Sequence, residues 1–307
     1  YTPEIDPDIY YPSHESVDFY HHYKDDIRLF GEMGMKLFRT SINWSRLYPV
    51  GDEDEPNQAG VEFYRSLFQE CKRWGIEPLV TISHYEIPMG LAKKYNGFAD
   101  RRVIDCYLKL CRTIFTEYKG LVKYWLTFNE INCLQNGGLG GLISGGVIPR
   151  PDITTMTFAV ELSAAELSVT YTALHNEFLA SAKAVQLAHE IDPDYVVGCM
   201  VGGGPSLYPY TCAPADVLAC QQKLQQDTWF VSDVMVRGSY PGYMRRFFAE
   251  NDIHVATEPG DDEILRAGCV DMYTYSYYMT NCVSTDPEVA KTQGNMMLGV
   301  PNPYLKA

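Results

Sequence analysis

The sequence predicts an α/β fold built on a parallel sheet, either closed into a barrel or doubly wound. Helical and strand patterns alternate along the 307 residues, and this alternation is typical of parallel sheets covered by helices. The strand patterns are continuous apolar runs, as in strands that are buried on both faces. Several of these runs end abruptly in polar side chains, which is where α/β barrels carry their active sites.

The first half of the chain contains two helix–strand units. A helix is predicted over 16–33 because Phe19, Tyr23, Ile27 and Phe30 recur on one face, and Gly34 ends it. A short strand follows at 35–41. The second helix runs over 58–74, and a strand over 77–83 follows it.

Three further strands complete the predicted sheet. A helix over 101–118 leads to the strand at 122–128, and a long helix over 164–190 leads to the strand at 195–201. The remaining elements are helical turns over 221–250, a helix over 261–267 and a strand over 269–275. The segments 50–57 and 136–152 are rich in Gly, Pro or acidic residues and are predicted to be loops within one domain.

Composition excludes several classes of partner. With 25 Lys and Arg against 39 Asp and Glu, the formal net charge is −14, which argues against nucleic acid or an anionic membrane as the main partner. No segment is apolar enough to span a bilayer. The nine cysteines show no zinc spacing and are interpreted as reduced, buried residues of a cytoplasmic protein; a Cys212–Cys220 bridge is the alternative.

Polar and aromatic clusters follow the predicted strands. They are Arg39 to Arg46, His84-Tyr85-Glu86, Asn129-Glu130 and Ser276-Tyr277-Tyr278. In a parallel barrel these ends converge on one mouth, where a half-buried carboxylate such as Glu130 can act as a general acid. Each residue alone has a structural alternative: Asn129 and Glu130 as caps, His84 as a core histidine, and Arg39 as an ion-pair partner.

Other chemistries lack their motifs. The glycines at 137–146 form neither a Gly-x-Gly-x-x-Gly fingerprint nor a phosphate-binding loop. The chain has no Gly-x-Ser-x-Gly elbow and no His-Glu-x-x-His metal motif. We therefore expect neither an organic cofactor nor a metal.

Three segments carry a family resemblance. FRTSINWSR (38–46), ISHYEIP (82–88) and TFNEIN (127–132) resemble glycoside hydrolase family 1 in their order and spacing. Its bacterial 6-phospho-β-glucosidase branch is similar at DFYHHYKDDI (18–27), EPN (55–57), VRGSYPGY (236–243) and YSYY (275–278). The resemblance implies an incomplete TIM (β/α)8 barrel with about five of its eight strands. Residues 1–307 would form one partial domain, which lacks the first strand and the last strands.

The resemblance also implies catalytic roles. Glu130 would be the acid/base of a retaining glycosidase, which protonates the glycosidic oxygen and later activates water. Arg39 and Tyr278 would lie beside the catalytic nucleophile and keep that carboxylate ionised.

The substrate-binding residues that the resemblance implies come from three strand ends. Asn129 would bond the sugar 2-hydroxyl, and His84 would hold another hydroxyl deeper in the pocket. Trp44 and Tyr85 would wall the cleft. The substrate would be a small β-glucoside, 6-phosphorylated as in phosphorylated cellobiose or aryl β-glucosides; a homo-oligomer is left open.

The sequence departs from the family pattern at both ends. The family's first strand, with its sugar-binding Gln, does not appear, and no Glu-Asn-Gly motif for the nucleophile occurs. We therefore expect the nucleophile and the phosphate-binding loop to lie beyond the chain end and this chain alone to be inactive. Two alternatives stay open: a non-catalytic remnant that binds sugar or a partner, and an α/β barrel of different function such as a phosphate-binding isomerase.

Overall fold

The central feature of the fold is a parallel sheet of five strands. The computed structural model describes residues 6–148, 161–203, 206–290 and 300–303. Its strands are β1 (Leu37–Ser41), β2 (Glu77–Ser83), β3 (Tyr124–Phe128), β4 (Val196–Gly202), β5 (Leu207–Pro209), β6 (Met272–Ser276), β7 (Asn281–Val283) and β8 (Val300–Pro301). The order β1-β2-β3-β4-β6 forms the central sheet, and all its neighbours are parallel. The five predicted strands are these five.

Helices connect the strands along the chain. They are α1 (Phe19–Glu32), α2 (Trp44–Leu47), α3 (Gln58–Arg73), α4 (Met89–Tyr95), α5 (Arg102–Glu117), α6 (Gly138–Gly145), α7 (Ala164–Ile191), α8 (Pro214–Leu224), α9 (Phe230–Arg237), α10 (Gly242–Glu250), α11 (Asp261–Ala267) and α12 (Pro287–Ala290). The predicted helices at 16–33, 58–74, 101–118, 164–190 and 261–267 agree with these bounds to within three residues. A π-helical turn, Gln225–Trp229, joins α8 to α9.

Helix α7 is the longest element, with 28 residues, and it packs across the sheet against α5 and α11. It begins with a capping box, in which Ser163 Oγ accepts from Glu166 N and Glu166 Oε2 accepts from Ser163 N. Most of its central residues are buried, as expected for a helix that is apolar or small on nearly every face.

The prediction that 136–152 is a loop is wrong for α6, while 149–152 lie outside the described residues. Helix α6 packs directly on a 3-10 segment, Ile131–Asn136. A Cβ atom at Gly140 would overlap with the carbonyl oxygen of Cys133, and one at Gly145 would overlap with Leu134. This close approach requires glycine at both positions. Because glycine has a low helix propensity, the sequence pattern does not predict the helix.

A small second sheet lies beside the first. Strand β5 pairs in parallel with β7, and β7 pairs antiparallel with β8. The carboxylate of Asp216 on α8 ties this region together, because it accepts hydrogen bonds from the backbone and hydroxyl of both Thr211 and Thr285. These strands have only two or three residues each, too few to be predicted from the sequence pattern.

All nine cysteines are free, so the alternative bridge between Cys212 and Cys220 is not formed. Five cysteines are buried, but Cys212 is exposed, contrary to the prediction for the set as a whole. Within the described ranges no helix is long and apolar enough to cross a membrane.

Candidate active site

The carboxyl ends of β1, β2 and β3 bring distant polar residues together. Arg39 lies in β1, and its Nη2 donates to Oδ1 of Asn129 at 2.6 Å and to Oγ1 of Thr81 at 3.1 Å. The backbone N–H of Asn129 donates to Ser83 O at 2.9 Å, which extends the β2–β3 ladder one residue past the strand. Asn129 is buried, and hydrogen bonds of both its backbone and its side chain fix its position.

The guanidinium of Arg39 is incompletely paired. Its Nε is buried without a hydrogen-bond partner, and among the described residues the guanidinium makes no ion pair. Burial lowers the pKa of Arg39, while the nearby Glu130, Tyr278 and Tyr85 oppose that shift. A half-buried cation without a matched anion has capacity for a carboxylate or another anion.

Glu130 and Tyr85 both occupy left-handed backbone conformations, with φ of 41° and 63°. Glu130 directly precedes the 3-10 segment Ile131–Asn136, and its carbonyl oxygen accepts from Cys133 N at 2.7 Å. Non-glycine residues at positive φ are uncommon and cluster at functional sites. Here the unusual backbone turns the chain sharply after each strand.

Tyr85, Glu130 and Cys133 form a triangle of side chains in the cleft. The hydroxyl of Tyr85 donates to Oε2 of Glu130. The Sγ atom of Cys133 lies 3.3 Å from that hydroxyl and 3.7 Å from the same Oε2. Burial raises the pKa of Tyr85 well above its usual range. Burial, aided by the charge of Glu130, raises the pKa of Cys133 to about 12, and the contact with Tyr85 opposes this shift.

A cleft of about 250 Å³ opens above this triangle. Its lining residues are Tyr85, Glu130, Asn132, Cys133, Gln135, Asn136, Ile143, Gly202, Gly203, Ser206, Leu207, Asp227, Thr228, Tyr278, Met279 and Asn281. The mixture of apolar walls with a few convergent polar groups is typical of small-molecule sites.

The wall of the cleft is clamped by Asn132. Its Oδ1 accepts from Gly202 N at 2.7 Å, and its Nδ2 donates to Gly202 O and to Asp227 O, each at 3.0 Å. The side-chain amide thus bonds both backbone groups of the last residue of β4 and reaches the π-helical turn. Gln135 Nε2 also donates to Asp227 O, at 3.3 Å.

The structure brings most of the predicted site residues together. Glu130, Tyr85 and Tyr278 line the cleft, and Arg39 and Asn129 are joined beside it. His84 is half-buried, with its ring against that of Tyr85 at a centroid distance of 5.4 Å. Burial lowers the pKa of His84, and Arg39 lowers it further against the opposing charge of Glu130.

The prediction for Trp44 is wrong. Trp44 is fully buried, and its ring packs edge-on against Tyr107 at 5.7 Å, so it forms core and does not wall the cleft. The reason is local: Asn43 Oδ1 accepts from Arg46 N and begins α2 at Trp44, which turns the ring inward. Glu86 is exposed and also lies outside the cleft.

The sequence patterns indicate no role for Asn132, Cys133 or Asp227. Cys133 had a local signal, because residues three apart in a 3-10 helix lie on the same side, and Cys133 is three residues after Glu130. Asp227 had none, since it reaches the site only through the tertiary fold. Within the described ranges no group of three or more His, Cys, Asp or Glu side chains is arranged to hold a metal ion.

Comparison with known proteins decides the family. The Glycosyl hydrolase family 1 profile matches residues 9–304. The chain belongs to this family. It is 47% identical over 295 residues to the aryl-phospho-β-D-glucosidase BglH of Bacillus subtilis, covering 96% of this chain and 60% of the relative. It is 49% identical to a 6-phospho-β-glucosidase of Clostridium longisporum, over 95% of this chain and 58% of that protein.

Solved structures of the family share the fold. The family 1 β-glucosidase from Thermotoga maritima aligns with a TM-score of 0.73 at 28% identity, covering 89% of this chain and 57% of that one. Rice Os3BGlu6 β-glucosidase aligns with a TM-score of 0.74 at 27% identity, covering 87% and 55%. The family and branch predicted from the sequence are confirmed. The chain spans about 60% of the length of the curated relatives it matches.

Proposed function

We propose that this chain is the larger part of a retaining β-glycosidase that acts on 6-phosphorylated β-glucosides. The observation that carries the proposal is the carboxyl of Glu130, held in the cleft at the end of β3 and close to the Arg39–Asn129 pair. We further propose that the five parallel strands are part of an eight-stranded barrel, as the family fold implies.

Glu130 is proposed as the general acid/base. In the first step it protonates the glycosidic oxygen as the sugar–oxygen bond breaks, and in the second it takes a proton from the water that attacks the sugar. Asn129 bonds the sugar 2-hydroxyl, a contact that strengthens in the transition state. The neutral ring of His84 holds a further hydroxyl.

Arg39 and Tyr278 are proposed to receive the second carboxylate. Retention requires a nucleophile about 5–5.5 Å from the acid/base. No Glu-Asn-Gly sequence occurs in the 307 residues, and the guanidinium of Arg39 has a buried Nε without a partner in the described part of the chain. We propose that the nucleophile belongs to the part of the relatives' length that this chain does not span.

The substrate class rests on the relatives. Two proteins at 47% and 49% identity carry names that specify phospho-β-glucosides, so we propose a phosphorylated glucoside such as phosphorylated cellobiose or an aryl β-glucoside 6-phosphate. The chemistry requires carboxylates and hydrogen bonds alone.

Hydrolysis of 4-nitrophenyl β-D-glucoside 6-phosphate tests the proposal. The 307-residue chain, its Glu130→Gln variant and the unphosphorylated substrate are compared, with Glu86→Gln as the matched carboxyl control. Turnover of the phosphorylated substrate that disappears in Glu130→Gln and persists in Glu86→Gln would support both the substrate class and the role of Glu130, and it would contradict the proposal that the nucleophile lies outside this chain. Equal turnover by Glu130→Gln would refute that role.

A second candidate is sugar binding without turnover. It is favoured for the isolated chain by the absence of a Glu-Asn-Gly sequence. Calorimetric titration with the same phosphorylated glucoside measures binding by the isolated chain. Binding that Asn129→Ala weakens, without hydrolysis, supports sugar binding by this chain on its own. Hydrolysis by the isolated chain would rule it out.

A further inference from the structure

We infer that Tyr85 and Cys133 are positioning residues that hold Oε2 of Glu130, so that Oε1 is the atom that gives and takes the proton. The inference rests on the proposed acid/base role of Glu130 and deepens it. It assigns the two oxygens of one carboxyl to different tasks, and it gives a role to a thiol in the cleft.

The geometry points to one oxygen. Tyr85 Oη donates to Oε2, and the Sγ of Cys133 lies 3.7 Å from Oε2. Within the described chain, both side-chain hydrogen bonds of Glu130 end on this oxygen. Tyr85 Oη and Cys133 Sγ are themselves 3.3 Å apart, so each donor also limits the movement of the other.

The backbone fixes all three corners of this triangle. Tyr85 and Glu130 are held in left-handed conformations, and Cys133 N donates to Glu130 O at 2.7 Å. On another side of the carboxyl stands Gly202, where a Cβ atom would lie 3.3 Å from both Cβ and Cδ of Glu130. The carboxyl is therefore packed between the backbone of β4 and the two donors.

The two donors suit a group that changes its protonation state during each cycle. The pKa values of Tyr85 and Cys133 are both raised, so the phenol and the thiol keep their protons at neutral pH. When Glu130 is ionised, Oε2 accepts their hydrogen bonds as a carboxylate oxygen. When Glu130 is protonated, Oε2 accepts them as the carbonyl oxygen, and the proton resides on Oε1. The same contacts thus persist in both steps.

The chemistry of the Cys133 thiol tests the geometry without any turnover. In a Cys212→Ser background, which removes the exposed cysteine, iodoacetamide labelling of Cys133 is followed by peptide mass spectrometry from pH 8 to 10. Because the thiolate is the nucleophile, the rate should rise about tenfold per pH unit across this range. A free model thiol with a pKa near 8.5 should level off within it.

The Glu130→Gln variant is the decisive change. Removing the negative charge and the carboxylate acceptor lowers the pKa of Cys133, and labelling at a given pH should accelerate by roughly fivefold to tenfold. Glu86→Gln, which removes a carboxyl that lies outside the cleft, should change the rate less than about twofold. An unchanged rate in Glu130→Gln, or a wild-type rate that levels off like the model thiol, overturns the inference.

Dependence on the leaving group separates positioning from mere structural support. Where the protein hydrolyses phosphorylated glucosides, Tyr85→Phe and Cys133→Ala should reduce kcat/KM about tenfold for a phenyl leaving group. They should change it less than about twofold for 2,4-dinitrophenyl, which departs without a proton. Cys133→Ser should restore most of the loss, since a hydroxyl also donates. Equal losses for both leaving groups contradict the inference.

If neither glucoside is hydrolysed, the labelling experiment still tests the positioning of Glu130 by Tyr85 and Cys133. The failed hydrolysis then counts against the proposed activity alone.

Discussion

The Nη2 atom of Arg39 lies 2.6 Å from Oδ1 of Asn129, across 90 residues of chain. This bond orients the Asn129 amide, because the oxygen faces the guanidinium and the NH2 group is left for a ligand. Arg39 is otherwise poorly compensated, with its Nε buried and unpaired in the described part of the chain. We therefore expect Arg39 to contribute more to the candidate site than to the free energy of folding.

Arg39→Met should leave the free energy of unfolding within about 1 kcal/mol of the wild-type value or raise it, because the variant removes a half-buried and incompletely bonded cation. Arg65→Met is the control. Arg65 bonds both the side chain and the backbone oxygen of Glu117, and its loss should cost about 1 kcal/mol. Urea unfolding measures both. A larger loss in Arg39→Met than in Arg65→Met would show that Arg39 is mainly structural.

Asn132→Ala should destabilise the protein by about 2–3 kcal/mol, because it removes three hydrogen bonds to Gly202 and Asp227 and leaves backbone groups unsatisfied. Asn136→Ala is the matched change at the end of the same 3-10 segment, at a side chain with no hydrogen bond in the described chain. It should cost less than about 0.5 kcal/mol. Equal losses in urea unfolding would contradict the clamp.

Gly97→Ala should be among the most damaging single changes. Gly97 has φ of 57°, and a Cβ atom there would overlap with the carbonyl oxygen of Gly145 at the end of α6. We expect a loss of about 3 kcal/mol or more, from strain and a backbone clash together. Gly75→Ala separates the two causes, because Gly75 has φ of 66° and open space around it. Its loss should be about 1–2 kcal/mol. Thermal unfolding compares them.

His175 should make stability fall in mild acid. Burial lowers its pKa, although Asp261 opposes the shift through a hydrogen bond of 3.0 Å. Arg101 also bonds Asp261, and Tyr240 bonds the other ring nitrogen. The folded protein thus holds fewer protons than the unfolded chain just below the unfolded pKa of about 6.5. Stability from this group is complete above that pH and lost as the pH falls, by at most about 1.4 kcal/mol per unit.

The measurement for His175 is urea unfolding at pH 7.5 and 5.5. His175→Gln should be less stable at both values, because its bonds are lost, but its stability should depend less on pH than that of the wild type. His189→Gln, at a histidine paired with Asp271 near the surface, is the control and should cost less stability than His175→Gln, because its pair is partly exposed. An unchanged slope in His175→Gln would contradict the assignment.

Glu177 should act in the opposite direction. It is fully buried on α7, neither oxygen has a hydrogen-bond partner among the described residues, and burial raises its pKa well above the usual range. The folded protein therefore holds the proton above the unfolded pKa of about 4.3. Stability from this group is complete below that pH and is lost as the pH rises toward the folded value. Glu177→Gln should flatten the decline in the free energy of unfolding that urea titrations measure between pH 5 and 8.

Local patterns were sufficient for the framework of the site. Apolar runs ending in polar residues located β1, β2, β3, β4 and β6, and parallel pairing then placed their ends together. Arg39, Asn129 and Glu130 were found in this way, because strand direction alone determines which end faces the cleft.

What the sequence did not reveal depends on contacts between distant segments. Trp44 lies three residues past the end of β1, whereas His84 directly follows β2, and Trp44 packs in the core as the first residue of α2. Helix α6 was missed because its glycines serve close packing, and β5, β7 and β8 were missed because two or three residues carry no readable period. Asp227 joins the cleft through a backbone carbonyl, which leaves no trace in residue type.

The positive φ angles at Tyr85 and Glu130 also determine how these positions respond to substitution. Left-handed backbone is tolerated by Gly, Asn and Asp, but it penalises Val, Ile and Thr whatever their chemistry. In a saturation library the β-branched variants at these two sites will therefore lose activity because of backbone strain. A ranking of variants by activity will then combine losses from backbone strain with losses of proton transfer. Pairs that share a backbone preference, such as Glu130→Asp with Glu130→Asn, are the comparisons from which proton transfer can be read.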